Sequence, residues 1–162
     1  LKSVFIATEY NGLGKKLIHH LKFERAAAAA NPIAQIMMAR LSLPVSPDTV
    51  ISFVPTATAR VRIRGYDQAL LIARHLAAEA RTDTFVSLLT RLGHQRQVGQ
   101  TKAVRHEQLR HAFQVNDPAK VATKRVLLID DVLTTGSTLE SAAQALYEAG
   151  AEGVDAAVFA GA

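Results

Sequence analysis

The sequence predicts a single α/β domain built on a parallel sheet. Three observations carry that reading. Short β-prone runs alternate with stretches of helical periodicity. Two of those runs, Val50–Val54 and Arg125–Ile129, lack polar alternation, as strands covered on both faces do. The 162 residues suffice for one sizeable core, and no linker is long enough to divide them.

Taken in order, Lys2–Thr8 reads as a short strand. Leu13, Leu17, Ile18 and Leu21 recur at helical spacing within Leu13–Phe23. Ala26–Ala30 is a run of the best helix former. Asn31-Pro32 then reads as a helix cap followed by proline at the first helical position, with Ile33, Ile36, Met37 and Leu41 on the apolar face. Pro44–Asp48 is a loop before the strand Val50–Val54. Asp67 is placed to cap a helix over about Gln68–Ala80, with Ala69, Ile72, Leu76 and Ala80 inward. Phe85–Leu89 is the next expected strand, and Arg91–Arg110 is polar and basic, with one short helix expected near Lys102–His111. After the strand Arg125–Ile129, a helix over Thr138–Ala149 ends at Gly150, and Val154–Phe159 is the last strand. About residues 1–45 are expected to form a small cap or hood, and about 46–162 the core.

Composition narrows the class. Hydrophobic content of 49% with 20% charged residues is that of a globular protein. No apolar run approaches the roughly 18 residues of a membrane span, and no secretory signal is visible, so a cytoplasmic protein with no membrane insertion is expected. The chain opens on Leu1 rather than Met, which leaves room for a preceding segment. The absence of cysteine excludes disulfides and thiolate zinc sites within these residues. The six histidines form no metal pattern; His19 and His20 are adjacent and diverge on a helix.

The net charge of +5 is unevenly distributed. All 19 Lys and Arg lie in residues 1–125 beside eight acids, whereas residues 126–162 hold six acids and no base. Such asymmetry points to a polyanionic ligand, a phosphorylated metabolite or a nucleic acid or both; a generally basic surface is the plainer alternative.

The chemistry concentrates in Val126–Thr138, VLLIDDVLTTGST. Ile129 closes the expected strand and Asp130-Asp131 follow at once, where open parallel sheets bind ligands. Adjacent carboxylates repel each other, but they suit sugar hydroxyls or a hydrated cation. Thr134, Thr135, Gly136, Ser137 and Thr138 then lead into a helix, whose N-terminal N–H groups and hydroxyls suit a phosphate. The spacing fits a ribose 5-phosphate. A plain helix start, with Ser137 and Glu140 as a capping box, accounts for Ser137 but not for the acids and the hydroxyl run. A P-loop would need a lysine after Gly136, and a phosphoacceptor receiver domain would carry its acids on the first strand.

Two further segments are basic. Arg60, Arg62 and Arg64 alternate ahead of Gly65 and a helix start, a suitable site for a second anion. In Arg91–Phe113, five bases (Arg91, Arg96, Lys102, Arg105 and Arg110) accompany one acid, Glu107. Such a loop could close over an anion or follow a nucleic-acid backbone.

VLLIDDVLTTGST resembles the phosphoribosyl pyrophosphate (PRPP) signature of type I phosphoribosyltransferases. The order of motifs along nearly the whole chain is similar to the ComF family of competence proteins: Tyr10-Asn11-Gly12, Leu17-Ile18, Leu21-Lys22-Phe23, Val54-Pro55, Arg64-Gly65-Tyr66-Asp67-Gln68-Ala69, Thr90-Arg91, Arg96-Gln97-Val98-Gly99, Arg105 and Ala112-Phe113. The resemblance implies a type I phosphoribosyltransferase-like parallel sheet flanked by helices, with an N-terminal hood. It implies PRPP bound with Mg²⁺ carried on the ligand rather than in a dedicated protein site. Asp130 and Asp131 would be catalytic, Thr134–Thr138 would hold the 5-phosphate, and Arg64 and Gly65, with Lys22, would hold the pyrophosphate. The loop bearing Arg91, Arg96, Lys102, Arg105 and Arg110 would close as phosphoribosyl passes to an acceptor that the residues do not identify. The alternative is a non-catalytic competence protein that binds single-stranded DNA, with PRPP as a regulatory ligand or none. Competence-machinery proteins and a second copy of the chain are further expected partners. Two departures stand out: the family's N-terminal cysteine zinc module has no counterpart in these residues, and Asp67 stands where the family has Asn.

Overall fold

A computed structural model of the chain describes residues 1–23, 26–92 and 112–161. The strands Val4–Glu9 (β1), Thr49–Phe53 (β2), Arg125–Leu133 (β5) and Gly153–Gly161 (β6) form a parallel sheet in the order β1-β6-β5-β2. Leu89–Arg91 (β3) and Phe113–Val115 (β4) form a separate antiparallel pair. Helices Gly12–Phe23 (α1), Ala30–Arg40 (α2), Thr58–Arg64 (α3), Gln68–Glu79 (α4) and Ser137–Glu148 (α5) complete the described elements, with short 3-10 turns at Ala27–Ala29 and Pro118–Lys120.

Parallel strands need crossovers, and the crossover helices cover both faces. β2 is buried along its whole length and β6 along all but its last residue, which is why neither alternates in polarity. On one face, Leu127, Ile129 and Phe159 pack against Ile18 and Leu21 of α1, Ile33 and Met37 of α2, and Ile72 and Leu76 of α4. On the other, Val126, Leu128 and Val158 meet Leu139, Ala142 and Leu146 of α5, together with Leu88, Leu89 and Phe113 around the β3–β4 pair. The α/β fold with a parallel sheet flanked by helices is therefore the observed one. Of residues 1–45, β1 is a strand of this sheet, paired with β6 from Val4↔Ala156 to Glu9↔Gly161.

Several local expectations are corrected. The first turn of α2 opens at Ala30 after the alanine 3-10 turn, so Asn31 and Pro32 lie inside the helix and neither caps it. Residues 58–64, to which the sequence assigned no element, form α3, a helix with no buried side chain. Phe85–Leu89 is no regular strand. It makes one parallel bridge, Ile51↔Phe85, and regular pairing starts only at Leu89. β5 does not stop at Ile129 but runs on through both acids to Leu133. The short helix expected near Lys102–His111 lies outside the described residues.

Candidate functional site

Strand geometry sorts the two acids. Successive side chains of a strand point to opposite faces. Asp131 shares the parity of Leu127 and Ile129 and so faces α1, where it meets Lys22 with Nζ 3.0 Å from Oδ1. Asp130 shares the parity of Val126 and Leu128 and faces the side of the β3–β4 pair. The pair thus straddles the end of β5 instead of presenting one acidic surface.

Lys22 meets Asp131 from the last turn of α1, and the first turn of that helix starts close against the end of β1. A side chain at Gly14 would stand 2.8 Å from the Glu9 carbonyl oxygen and 2.9 Å from Thr8 Cγ2, so only glycine allows this approach. Further along, Tyr66 Oη donates to the Leu21 carbonyl at 2.7 Å and ties the end of α1 to the turn between α3 and α4. Arg64 stands over the Phe23 ring at 5.7 Å. Lys22, Arg64 and Gly65, expected together, are therefore gathered around one joint between α1 and α3.

Among the described residues, no such cation lies against Asp130. Its carboxylate accepts the Asp131 amide at 2.8 Å. Burial, and next the Asp131 charge, push its carboxyl up to about 8, while the Asp131 amide and Lys22 act in the opposite sense. Across from it, Arg91 projects from β3, donates to the Pro55 carbonyl at 3.4 Å and lies 5.3 Å over the Phe113 ring. Burial, and then the charge of Arg60, lower the Arg91 pKa, while Asp130 and Asp67 counteract this. Two arginines, Arg60 and Arg91, thus sense each other beside an acid. Arg91, expected in the basic loop, is rooted in the site; Arg96, Lys102, Arg105 and Arg110 lie outside the described residues. Arg60 was visible in the sequence only as part of an alternating run, which a helix disperses.

Asp67 does cap α4, accepting from the Ala69 and Leu70 amides at 3.1 and 3.4 Å. It also accepts from the Thr56 amide at 2.7 Å and the Thr56 hydroxyl at 3.2 Å. Burial raises its pKa, and these donors oppose the shift. Its charge is therefore turned to backbone donors at the end of β2.

Beyond Leu133 the chain turns through Thr134 and Thr135, both exposed, to Gly136. Gly136 has φ +78° and is itself the N-cap of α5, with no side chain capping the helix. The plain alternative, a capping box of Ser137 and Glu140, is not formed: Ser137 is the first helical residue, and its hydroxyl lies 3.0 Å from that of Thr135. The left-handed turn leaves the leading N–H groups of α5 without a side-chain acceptor, which is the condition for anion binding at a helix start. Thr134–Thr138 and the acid pair are thus contiguous at the carboxyl edge of the sheet. An open cleft of about 650 Å³ lies further along that edge, lined by Ile6, Thr8, Glu9, Tyr10, Asn11 and Gly161. Among the described residues, no group of three or more His, Asp or Glu side chains could hold a metal ion.

Known proteins share this architecture. Residues 27–162 match the phosphoribosyl transferase domain family. The chain is 36% identical over 148 residues to the DNA utilization protein YhgH of Salmonella typhi, covering 83% of this chain and 61% of that protein. It is 32% identical over 108 residues to Competence protein F of Haemophilus influenzae, covering 65% of this chain and 47% of that protein. The chain spans about three-fifths of the former relative and under half of the latter. The glutamine PRPP amidotransferase from B. subtilis shares the fold over 83% of this chain and 26% of its own, with a TM-score of 0.55 at 20% identity. The chain belongs to the phosphoribosyl transferase domain family and is a ComF-type, phosphoribosyltransferase-like protein.

Proposed function

We propose that the chain binds PRPP at the carboxyl edge of its sheet and transfers the phosphoribosyl group to an acceptor. The observation that carries this reading is the continuity of the straddling acid pair with the uncapped start of α5. A ribose over Asp130 and Asp131 would put its 5-phosphate against Thr134–Thr138 and its pyrophosphate toward Arg64, Gly65 and Lys22. Arg60 and Arg91 supply further cationic charge on the Asp130 side.

Transfer breaks the bond from C1 to the pyrophosphate oxygen, which leaves with the electron pair, and forms a bond from C1 to the acceptor. Positive charge develops at C1 and the ring oxygen, and the two carboxylates favour it; the arginines favour the departing anion. Mg²⁺ fits this donor set, since the acids offer hard oxygens without a closed cage; bound on the pyrophosphate, it would neutralise leaving-group charge, with Asp130 and Asp131 holding its waters. None of the residues at the site is an evident base for the acceptor. In the described residues no helix is long and apolar enough to cross a membrane, and we place the activity in the cytoplasm.

Calorimetry with PRPP and Mg²⁺ tests the site. Saturable binding is expected, and the double substitution Asp130→Asn with Asp131→Asn abolishes it; retained affinity in that variant rejects the assignment. Release of pyrophosphate with candidate acceptors tests turnover. The names of the two relatives favour a second reading, in which the chain acts on DNA. Phe23 is 65% exposed beside Arg64 and could stack a base. Oligonucleotide retention that falls steeply with salt, and that is weakened by R96A/K102A/R105A, would support it.

A further inference from the structure

We propose that Gln68 is a ligand-binding residue of the pyrophosphate subsite, donating its side-chain amide N–H to a phosphate oxygen. This rests on the PRPP reading above and extends it to a residue of the Arg64–Ala69 motif that neither the acids nor the arginines explain.

Gln68 is the first residue of α4 and is 1% exposed. Its Oε1 accepts from the Thr56 hydroxyl at 3.2 Å. Its Nε2 is buried and, among the described residues, has no hydrogen-bond partner. Buried polar groups are nearly always paired, so a free donor here calls for an acceptor from outside the fold. Turning the amide over does not remove the vacancy. The Thr56 hydroxyl has one proton and faces two acceptors at 3.2 Å, Asp67 Oδ1 and Gln68 Oε1. With the amide reversed the bare group would be an acceptor, Oε1; the free donor belongs to the arrangement in which Thr56 donates to Oε1, which Asp67 tolerates because its Oδ1 still accepts from Ala69 and Leu70. Asp67 offers no remedy, since its two oxygens already accept from Thr56, Ala69 and Leu70.

Location fixes the class of acceptor. Gln68 adjoins Thr56, one residue beyond the Pro55 carbonyl that holds Arg91. It follows Asp67, whose charge is sensed by both Arg91 and Asp130. The segment between Thr56 and Asp67 carries Arg60, Arg62 and Arg64 on a helix that buries nothing. A group delivered among these cations is an anionic oxygen, for which an amide N–H is a suitable donor. Among the described residues, the Gln68 side chain makes just the shared contact to Thr56, so a change of rotamer toward a seated pyrophosphate breaks little.

The test uses the whole chain and two probes, inorganic pyrophosphate and ribose 5-phosphate, each with Mg²⁺, titrated into the wild type, Gln68→Met and Gln68→Glu. Methionine keeps the length of the side chain and removes the amide. Pyrophosphate affinity is expected to fall about tenfold in Gln68→Met, and further in Gln68→Glu, while ribose 5-phosphate affinity stays within twofold in both. The melting temperature without ligand is expected to rise or hold in Gln68→Met, because a bare buried donor has been removed. Unchanged pyrophosphate affinity in Gln68→Met, or in Gln68→Glu should the first fail to fold, overturns this inference alone and assigns the amide to a buried water. Failure of the wild type to bind either probe overturns the reading of the site itself.

Discussion

Asp130 and Asp131 are neighbours on one strand, yet their surroundings differ in kind. Asp131 lies against an ammonium 3.0 Å away, brought there by the last turn of α1. Asp130, among the described residues, has the amide of its neighbour as its hydrogen-bond donor, and burial drives its carboxyl up to about 8. The difference shows how a repulsive pair is tolerated: one charge is paired within the fold, and the other is held back until a cation or a ligand makes ionisation favourable. A transferase that must meet both hydroxyl groups and developing positive charge can use one carboxylate of each sort.

The largest expected effect comes from breaking the paired half. Lys22→Met leaves Asp131 charged and largely buried, and should cost about 2 kcal/mol at neutral pH, less than for a fully dry pair because both groups retain some exposure. Adding Asp131→Asn should restore most of it, as read by urea unfolding; a lasting deficit in the double variant would mean that Lys22 acts through packing. Gly14→Ala attacks the same pairing from behind. Its new methyl meets the Glu9 carbonyl, so α1 must shift, at about 1–2 kcal/mol. PRPP binding should weaken more than stability does, and equal loss of both would argue that α1 does not set the site.

Asp130→Asn tests the unpaired half. The folded value lies above the unfolded one, so between about pH 4 and about 8 the folded chain holds the extra proton. The group's contribution is thus full at low pH and is lost as pH rises through about 8. The asparagine variant should be more stable than the wild type at pH 8, on the order of 1 kcal/mol after allowance for screening, with no advantage at pH 4. Parallel stability profiles of the two proteins would refute the assignment. Tyr66→Phe is the mildest change. Loss of its bond to the Leu21 carbonyl should cost about 0.5–1 kcal/mol and loosen Lys22 with it.

Much of this was legible in the residues. Val50–Val54 and Arg125–Ile129 announced buried strands by their unbroken apolarity, and Asp67 announced the start of α4 by its place before a periodic run. Three features were hidden for physical reasons. Arg60, Arg62 and Arg64 alternate like a strand, but helix formation there depends on local turns and not on a buried face, which leaves no periodic trace. Ser137 and Glu140 have the spacing of a capping box, yet Gly136 in a left-handed conformation moves the cap back by one residue. The division of labour between the acids follows from what α1 brings to one side of β5, a long-range contact that no local pattern encodes.

The strand order has a consequence for how the domain is made. β1 and β5 touch only through β6, which lies between them. A ribosome that has delivered everything up to α5 has produced the first strand without its neighbour and the acid-bearing strand with one edge bare. The sheet can close only after Gly161 has emerged, so the hydrophobic faces of α1, α2 and α5 must wait in an incomplete state. Premature termination inside β6 would therefore leave β1 unpaired and one edge of β5 bare, with the apolar faces between them uncovered.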